Sequence, residues 1–159
     1  MTPTIRRAQA EDIPALLNLL TQVNMVHHRG RPDLFKGPAT KYSAFELQGI
    51  VSDERSPVFV YTDDGGRVLG YAFCVFKQVK NSQLLADVKT LYVDDLCVDE
   101  NCRGQGVGRA LYAHVLSFAK AAGCYNVTLN VWAFNESAIR FYESCGMRPQ
   151  KIGMETILQ

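Results

Sequence analysis

The stretch CRGQGVGRA (102–110) puts three glycines and two arginines into nine positions. Before it, TLYVDDLCV (90–98) reads as a strand. After it, 108–122 aligns Leu111, Val115, Phe118, Ala119 and Ala122 along one helical face, and Gly123 stands where a C-terminal cap belongs. A glycine turn between a strand and a helix leaves the first N–H groups of the helix without intrahelical partners, which makes an anion site. Gly104, Gly106 and Gly108 allow close approach to the backbone and permit positive φ. The helix dipole supplies only about 0.3–1 kcal/mol per anionic group. Holding a pyrophosphate therefore takes several N–H groups together with Arg103 and Arg109.

The flanking chain supplies a mixed α/β pattern. TIRRAQ (4–9) predicts a short strand. Asp12 caps a helix that tolerates Pro14 in its first turn and runs to about His28. RGRPDLFKGP (29–38) is a loop, and 40–52 predicts a second helix. VFVYT (58–62), the turn DDGG and VLGYAFCVFKQV (68–79) form a hairpin. CYNVTLNVW (124–132) alternates as a strand. Asn135 caps a last helix, ESAIRFYESC, which Gly146 ends, and about 152–158 predicts a final strand. The 159 residues fit one domain, 1–159.

Other classes are disfavoured. A P-loop needs Lys and then Ser or Thr after its last glycine, whereas Arg109 and Ala110 follow Gly108. A dinucleotide fold needs GxGxxG and an acid about 20 residues on; the spacing here is GxGxG, and the next strand ends in Asn130, Val131 and Trp132. The formal net charge of +1 argues against nucleic-acid or membrane-surface partners. No apolar run approaches a bilayer span, and the N-terminus lacks a signal-peptide stretch, so a cytoplasmic location is expected. The five cysteines (74, 97, 102, 124, 145) show no metal or disulfide spacing. They are expected to be reduced and packed as small apolar residues. Cys102, beside Arg103 near a helix start, is the one where a thiolate would be favoured.

A second segment, NESAIRFYESCGM (135–147), follows one helix and one strand later. Its Asn135, Ala138, Phe141, Tyr142 and Gly146, with Arg103, Gly106 and Gly108 of the first motif, resemble the paired signatures of the GNAT acetyltransferase superfamily; Met147 stands where Phe is usual. LYVDDLCVDENCRGQGVG (91–108) resembles the polyamine-type members, including spermidine/spermine N-acetyltransferases. The resemblance implies an α/β GNAT fold with a mixed, mostly antiparallel sheet of about six to seven strands and about four helices. It implies acetyl-CoA as co-substrate, no metal, and an N-acetyltransferase acting on a primary amine by direct attack. A small cationic amine is the first expected acceptor and a protein or peptide amine the second. A non-catalytic acyl-CoA sensor is the reading from another class. A homodimer is also expected.

Site roles follow from the resemblance. Leu96, Cys97 and Val98 would pair with the pantetheine amides through their backbones. Arg103, Gly104, Gln105, Gly106, Val107, Gly108 and Arg109 would hold the pyrophosphate. Asn135, Ser137 and Ala138 would meet the pantetheine arm, with Tyr142 beside it as general acid to the leaving thiolate. By periodicity alone Tyr142 reads as a core tyrosine on an apolar helix face. Neutralising a lysine-like amine of pKa about 10.4 at pH 7 costs roughly 4.6 kcal/mol, so a base or a water is needed. Asp94 matches the position of a glutamate that meets the amine in the polyamine enzymes. Strand alternation puts Asp94 and Asp95 on opposite faces, so only one of them faces the substrate; solvated edge carboxylates are the other reading. His28, with His27, Arg29, Arg31 and Asp33, would form a wall of the acceptor pocket, although cations also simply suit a helix C-terminus.

Overall fold

The computed structural model describes residues 3–159. Its elements are β1 (Thr4–Arg7), α1 (Ile13–Gly30), α2 (Ala44–Val51), β2 (Val58–Thr62), β3 (Val68–Gln78), β4 (Lys89–Val98), α3 (Val107–Ala121), β5 (Asn126–Leu129) and α4 (Glu136–Ser144). The strands form one sheet in the order β1-β2-β3-β4-β5. The first three pairings are antiparallel and β4–β5 is parallel. A parallel pair needs a crossover, and α3 provides it. This is the mixed α/β sheet with four helices that the resemblance implies.

The apolar pattern divides between two faces. Leu16, Leu19 and Leu20 of α1 and Leu47 of α2 pack with Val60, Tyr71, Phe73 and Cys97 on one face. Val107, Leu111, Val115 and Ala119 of α3 pack with Leu69, Ala72, Leu91 and Val93 on the other. Since β2 and β3 are covered on both sides, their sequences are nearly continuous apolar runs. Arg6 clamps the entry to α1 by donating to both carboxylate oxygens of buried Asp12, at 2.8 and 3.0 Å. Ser43 and Glu46 form a reciprocal capping box that starts α2 at residue 44 instead of 40.

Five strands pair among the described residues, fewer than the six to seven expected. The predicted strand 124–132 shrinks to Asn126–Leu129. The predicted strand 152–158 does not form: the tail lies outside any helix or strand, is exposed and pairs with nothing in the sheet. Its period-2 pattern is right for a strand, but a strand also needs a neighbour to bond.

Gly70 marks the tightest approach between sheet and helix. A Cβ there would stand 2.9 Å from the Cys97 carbonyl oxygen and 3.1 Å from Leu111 and Val107. Gly70→Ala is expected to cost about 1–3 kcal/mol by overpacking in urea unfolding. Gly37→Ala, where a Cβ meets nothing within 4 Å, should change stability little.

Candidate active site

Two departures from regular sheet geometry build the site. First, β4 and β5 share only the pairs Thr90–Asn126 through Val93–Leu129. β4 then continues to Val98 with β3 alone, so on its β5 side residues 94–98 lack a strand partner. Second, the β3–β4 register steps from Phe73–Asp95 to Cys74–Val93, leaving Asp94 as the extra residue of a bulge.

The bulge overturns the expectation that Asp94 and Asp95 face opposite ways. Asp95 pairs with Phe73 and accepts a 2.6 Å hydrogen bond from Tyr71, and both aromatics belong to the α1/α2 face. Asp94 accepts from Tyr42 at 2.7 Å and from the Lys41 ammonium at 2.9 Å. Tyr42 lies against Phe73, with ring centroids 5.7 Å apart. Both carboxylates therefore serve one face. Desolvation raises the Asp95 carboxyl to about 6; the Tyr71 bond and Lys41 oppose that rise, while the Asp94 charge adds to it.

Tyr142 of α4 is half-buried, with Tyr112 6.4 Å away between ring centroids. Burial raises its hydroxyl pKa well above the ordinary tyrosine value, and the charge of Asp95 pushes the same way. It therefore keeps its proton at neutral pH. Burial also pushes the Cys97 thiol up to about 12, and its Sγ faces the Leu19 carbonyl at 3.6 Å. That thiol is no ready nucleophile. Cys102 is buried in the α3-side core, away from the role sketched for it at the helix start.

The glycine turn has the form its sequence implies. Gly104 and Gly106 have φ of +79° and +82°, and Gly106 caps α3 in the left-handed region. A Cβ at either would meet nothing within 4 Å, so the turn's backbone is open to a ligand. Arg103, Gln105 and Arg109 are exposed beside it, while Val107 is buried and anchors the first turn of the helix. Gly108 has different surroundings from Gly104 and Gly106. It admits Phe141 of α4, which a Cβ would meet at 3.3 Å, and Arg109 donates to Ser144 at 3.0 Å. Asn135 caps α4 by accepting from Ala138 N–H at 3.3 Å, with exposed Ser137 alongside. The half-buried Leu96 and Val98 pack toward α3, and Cys97 packs toward α1.

The residues expected to wall an acceptor pocket are partly regrouped. His28 is tied to the Phe35 carbonyl at 2.7 Å. His27, which was not singled out above His28, lies within an aromatic group: 4.9 Å from Phe35 and 6.4 Å from Phe134 between ring centroids, with Trp132 5.3 Å from Phe35. Burial and the Lys41 charge lower its pKa. Phe134 presses onto Gly30, where a Cβ would stand 2.1 Å from its Cε1. Lys41 and Tyr42 were missed altogether, since nothing in their local sequence links them to a carboxylate 53 positions away.

A shallow hollow of about 220 Å³ joins α1 to the glycine turn, lined by Asn18, Gln22, Met25, Arg29, Glu100 and Arg103. A larger one, about 350 Å³, lies at the β2–β3 hairpin beside Asp63 and Asp64 and touches the turn only through Gln105 and Val107. Its acidic lining does not suit a phosphate. Among the described residues no cluster of three metal-ligating side chains occurs, and no helix is long and apolar enough to cross a membrane.

The fold is an α/β one in which a mixed sheet parts beside a bulge and a glycine-capped helix follows the parted strand. The chain belongs to the acetyltransferase (GNAT) family, whose model matches residues 23–147. A mutant of the BH1408 protein from Bacillus halodurans is 35% identical and superposes with a TM-score of 0.94, covering 98% of this chain and 99% of that one. An uncharacterised N-acetyltransferase of Methanocaldococcus jannaschii is 24% identical over 151 residues, 95% of this chain and 63% of that protein. The ribosomal protein bS18 alanine N-acetyltransferase of Escherichia coli is 35% identical over 71 residues, 45% of this chain and 47% of that protein. The chain thus spans less than two thirds of the length of these curated relatives.

The raised Asp95 pKa has a consequence for stability. Between the ordinary 3.8 and about 6 the folded chain binds a proton that the unfolded chain releases. The contribution of this group to stability therefore falls as pH rises through that window. Asp95→Asn, which keeps an acceptor for Tyr71, is expected to be more stable than the parent at pH 7–8 by about 1–3 kcal/mol. The difference should fade toward pH 4, as read by urea unfolding across pH.

Proposed function

We propose that the protein is an N-acetyltransferase that moves the acetyl group of acetyl-CoA to a primary amine, with a small cationic amine as acceptor. The observation that carries this reading is the Lys41 ammonium 2.9 Å from Asp94, on the carboxylate oxygen that also accepts from the Tyr42 hydroxyl. A primary ammonium already sits at the acceptor end, held as an external amine would be. The acceptor displaces Lys41 from Asp94, which is 24% exposed.

The residues present fit acetyl-CoA. The turn at Gly104 and Gly106 offers open backbone, the α3 N-terminus offers N–H groups, and Arg103 and Arg109 offer charge to a pyrophosphate. The Leu96–Val98 stretch borders the gap left where β5 departs, and its backbone groups that alternate away from β3 suit the pantetheine amides. The α4 segment from Asn135 through Ser137 and Ala138 closes the other side. Acetyl-CoA supplies the thioester carbonyl that the amine attacks.

The protein's own groups then divide the proton work. Asp94 orients the ammonium. Asp95, ionised above about 6, takes the proton that the ammonium must lose, directly or through a water. Tyr142, protonated at neutral pH, donates to the departing sulfur and is restored by the second proton, which the nitrogen loses as it becomes an amide. A thiol at about 12 on Cys97 gives no support to an acyl-cysteine route.

A second reading is favoured by the relative that acts on the bS18 alanine amino group: the acceptor is then a peptide N-terminus. A panel of diamines and amino-terminal peptides, followed by CoA release, separates the two. Acetyl-CoA should raise the melting temperature of the protein, and failure of every CoA ester to do so would overturn the reading.

Two variants give firmer numbers. Tyr142→Phe should lose about 100-fold or more in turnover while keeping its CoA affinity by calorimetry; loss of neither would remove Tyr142 as the acid. Lys41→Ala should lower KM for cationic amines about 2–5-fold, the scale of an exposed ion pair, with kcat little changed, and Asp94→Asn should raise KM.

A further inference from the structure

Lys41 is set apart from the other lysines of the chain. Among the described residues it is the one lysine in an ion pair, with Asp94 at 2.9 Å. Lys77 lies over the Tyr92 ring at 4.0 Å, and Lys89 donates to the Ala122 carbonyl at 3.0 Å. The place of the Lys41 pair matters more than its strength. Asp94 is the bulge residue of β4, where β5 departs. The acetyl-CoA reading runs from the glycine turn at 104–109 back along 98–96, and the next residues in that direction are Asp95 and Asp94. A thioester at the end of the pantetheine arm therefore comes to the carboxylate on which Lys41 already sits.

The groups that acetyl transfer needs are gathered around this ammonium. The charge of Lys41 is felt at Asp95, and the charge of Asp95 at Tyr142. Lys41 also has freedom to finish the approach. It lies in the loop 31–43 between α1 and α2, which holds no helix or strand, and its side chain is 48% exposed on a flexible stem. A nucleophile tethered beside its electrophile reacts as if at a concentration far above that of a dissolved amine.

We propose that Lys41 is a substrate of its own chain: the protein acetylates the Lys41 Nζ from acetyl-CoA in cis. The inference rests on the acetyl-CoA reading above and adds a modification site to it. The Lys41 ammonium gives one proton to Asp95 or to a water. The free amine attacks the thioester carbon; the C–N bond forms and the C–S bond breaks. Tyr142 protonates the sulfur, which leaves as the CoA thiol, and recovers a proton from the nitrogen as the amide forms. The amide carries no charge, so the ion pair with Asp94 is lost and that carboxylate is free for an external amine. Self-acetylation thus opens the acceptor end once in the life of each chain.

Isotopically labelled acetyl-CoA, peptide mass spectrometry and CoA release test it on the full-length protein. The parent should take up one labelled acetyl group per chain, at Lys41, with a half-time unchanged on dilution of the protein. Exposed Lys36 and Lys151 should be labelled at least about 100-fold more slowly. Tyr142→Phe should slow the labelling of Lys41 about 100-fold or more. If that variant misfolds by circular dichroism, Asp94→Asn replaces it and should slow labelling about 2–5-fold, the scale of an exposed ion pair. If the parent as purified already carries an unlabelled acetyl group at Lys41, Tyr142→Phe prepared in the same way should lack it. Turnover of an external amine by the parent should begin with a lag, its KM falling about 2–5-fold as labelling completes. Lys41→Arg should take no label and show no lag. Amine turnover with Lys41 unlabelled, or labelled no faster than Lys36 and Lys151, overturns self-acetylation and leaves the acetyltransferase reading standing. Labelling that persists in a Tyr142→Phe protein without external turnover does the same, and a half-time that shortens with protein concentration overturns the cis step. Failure of acetyl-CoA both to raise the melting temperature and to support any turnover overturns the two together.

Discussion

β4 and β5 run together for four residue pairs and then separate. Every backbone N–H and C=O in a sheet needs a partner, and on its open side the far half of β4 has no strand to bond. The gap is tolerable because it lies at the surface, where water or a ligand amide can serve. The bulge at Asp94 works on the same strand. It breaks the alternation once, just where the neighbour leaves, and so turns two consecutive side chains toward one face. The open backbone and the carboxylate pair therefore lie side by side along the last residues of β4.

Two acids at adjacent positions on one face repel each other, and the structure handles them unequally. Asp94 is held by a cation and a phenol. Asp95 receives one phenolic hydrogen bond from Tyr71, which is fully buried, and its proton affinity rises with desolvation. Tyr142 lies within the field of Asp95 and stays neutral. Groups with separated proton affinities, set by burial and not by residue type, are what a proton-moving site requires.

Most of the architecture could be read from local pattern. β2 occupies 58–62 as its apolar run implies, the DDGG turn closes the hairpin, and Gly123 and Gly146 follow their helices with φ of +79° and +99°. The glycine turn and the Asn135 cap were equally legible, because each works through residues adjacent in sequence. The bulge was not, since VDD carries no glycine or proline to announce it and alternation is the default for a strand. Lys41 and Tyr42 were invisible because a contact across 50 residues leaves no local trace. The tail misled for the opposite reason: its pattern is that of a strand, but pattern cannot supply the edge on which a strand depends. Gly108 was assigned to the ligand, whereas its bare Cα also lets Phe141 reach the start of α3.

The contact between Gly30 and Phe134 joins the two halves of the site mechanically. The ring fills the volume where a side chain at position 30 would begin. Phe134 is followed at once by Asn135, the cap of the helix that carries Tyr142, and Gly30 ends the helix that leads into the Arg31–Tyr42 loop. Close-packed groups cannot absorb displacement by compressing. A tilt in the last turn of α1 therefore presses the aromatic ring and with it the base of α4, so the two helices are geared together through a single missing methyl group.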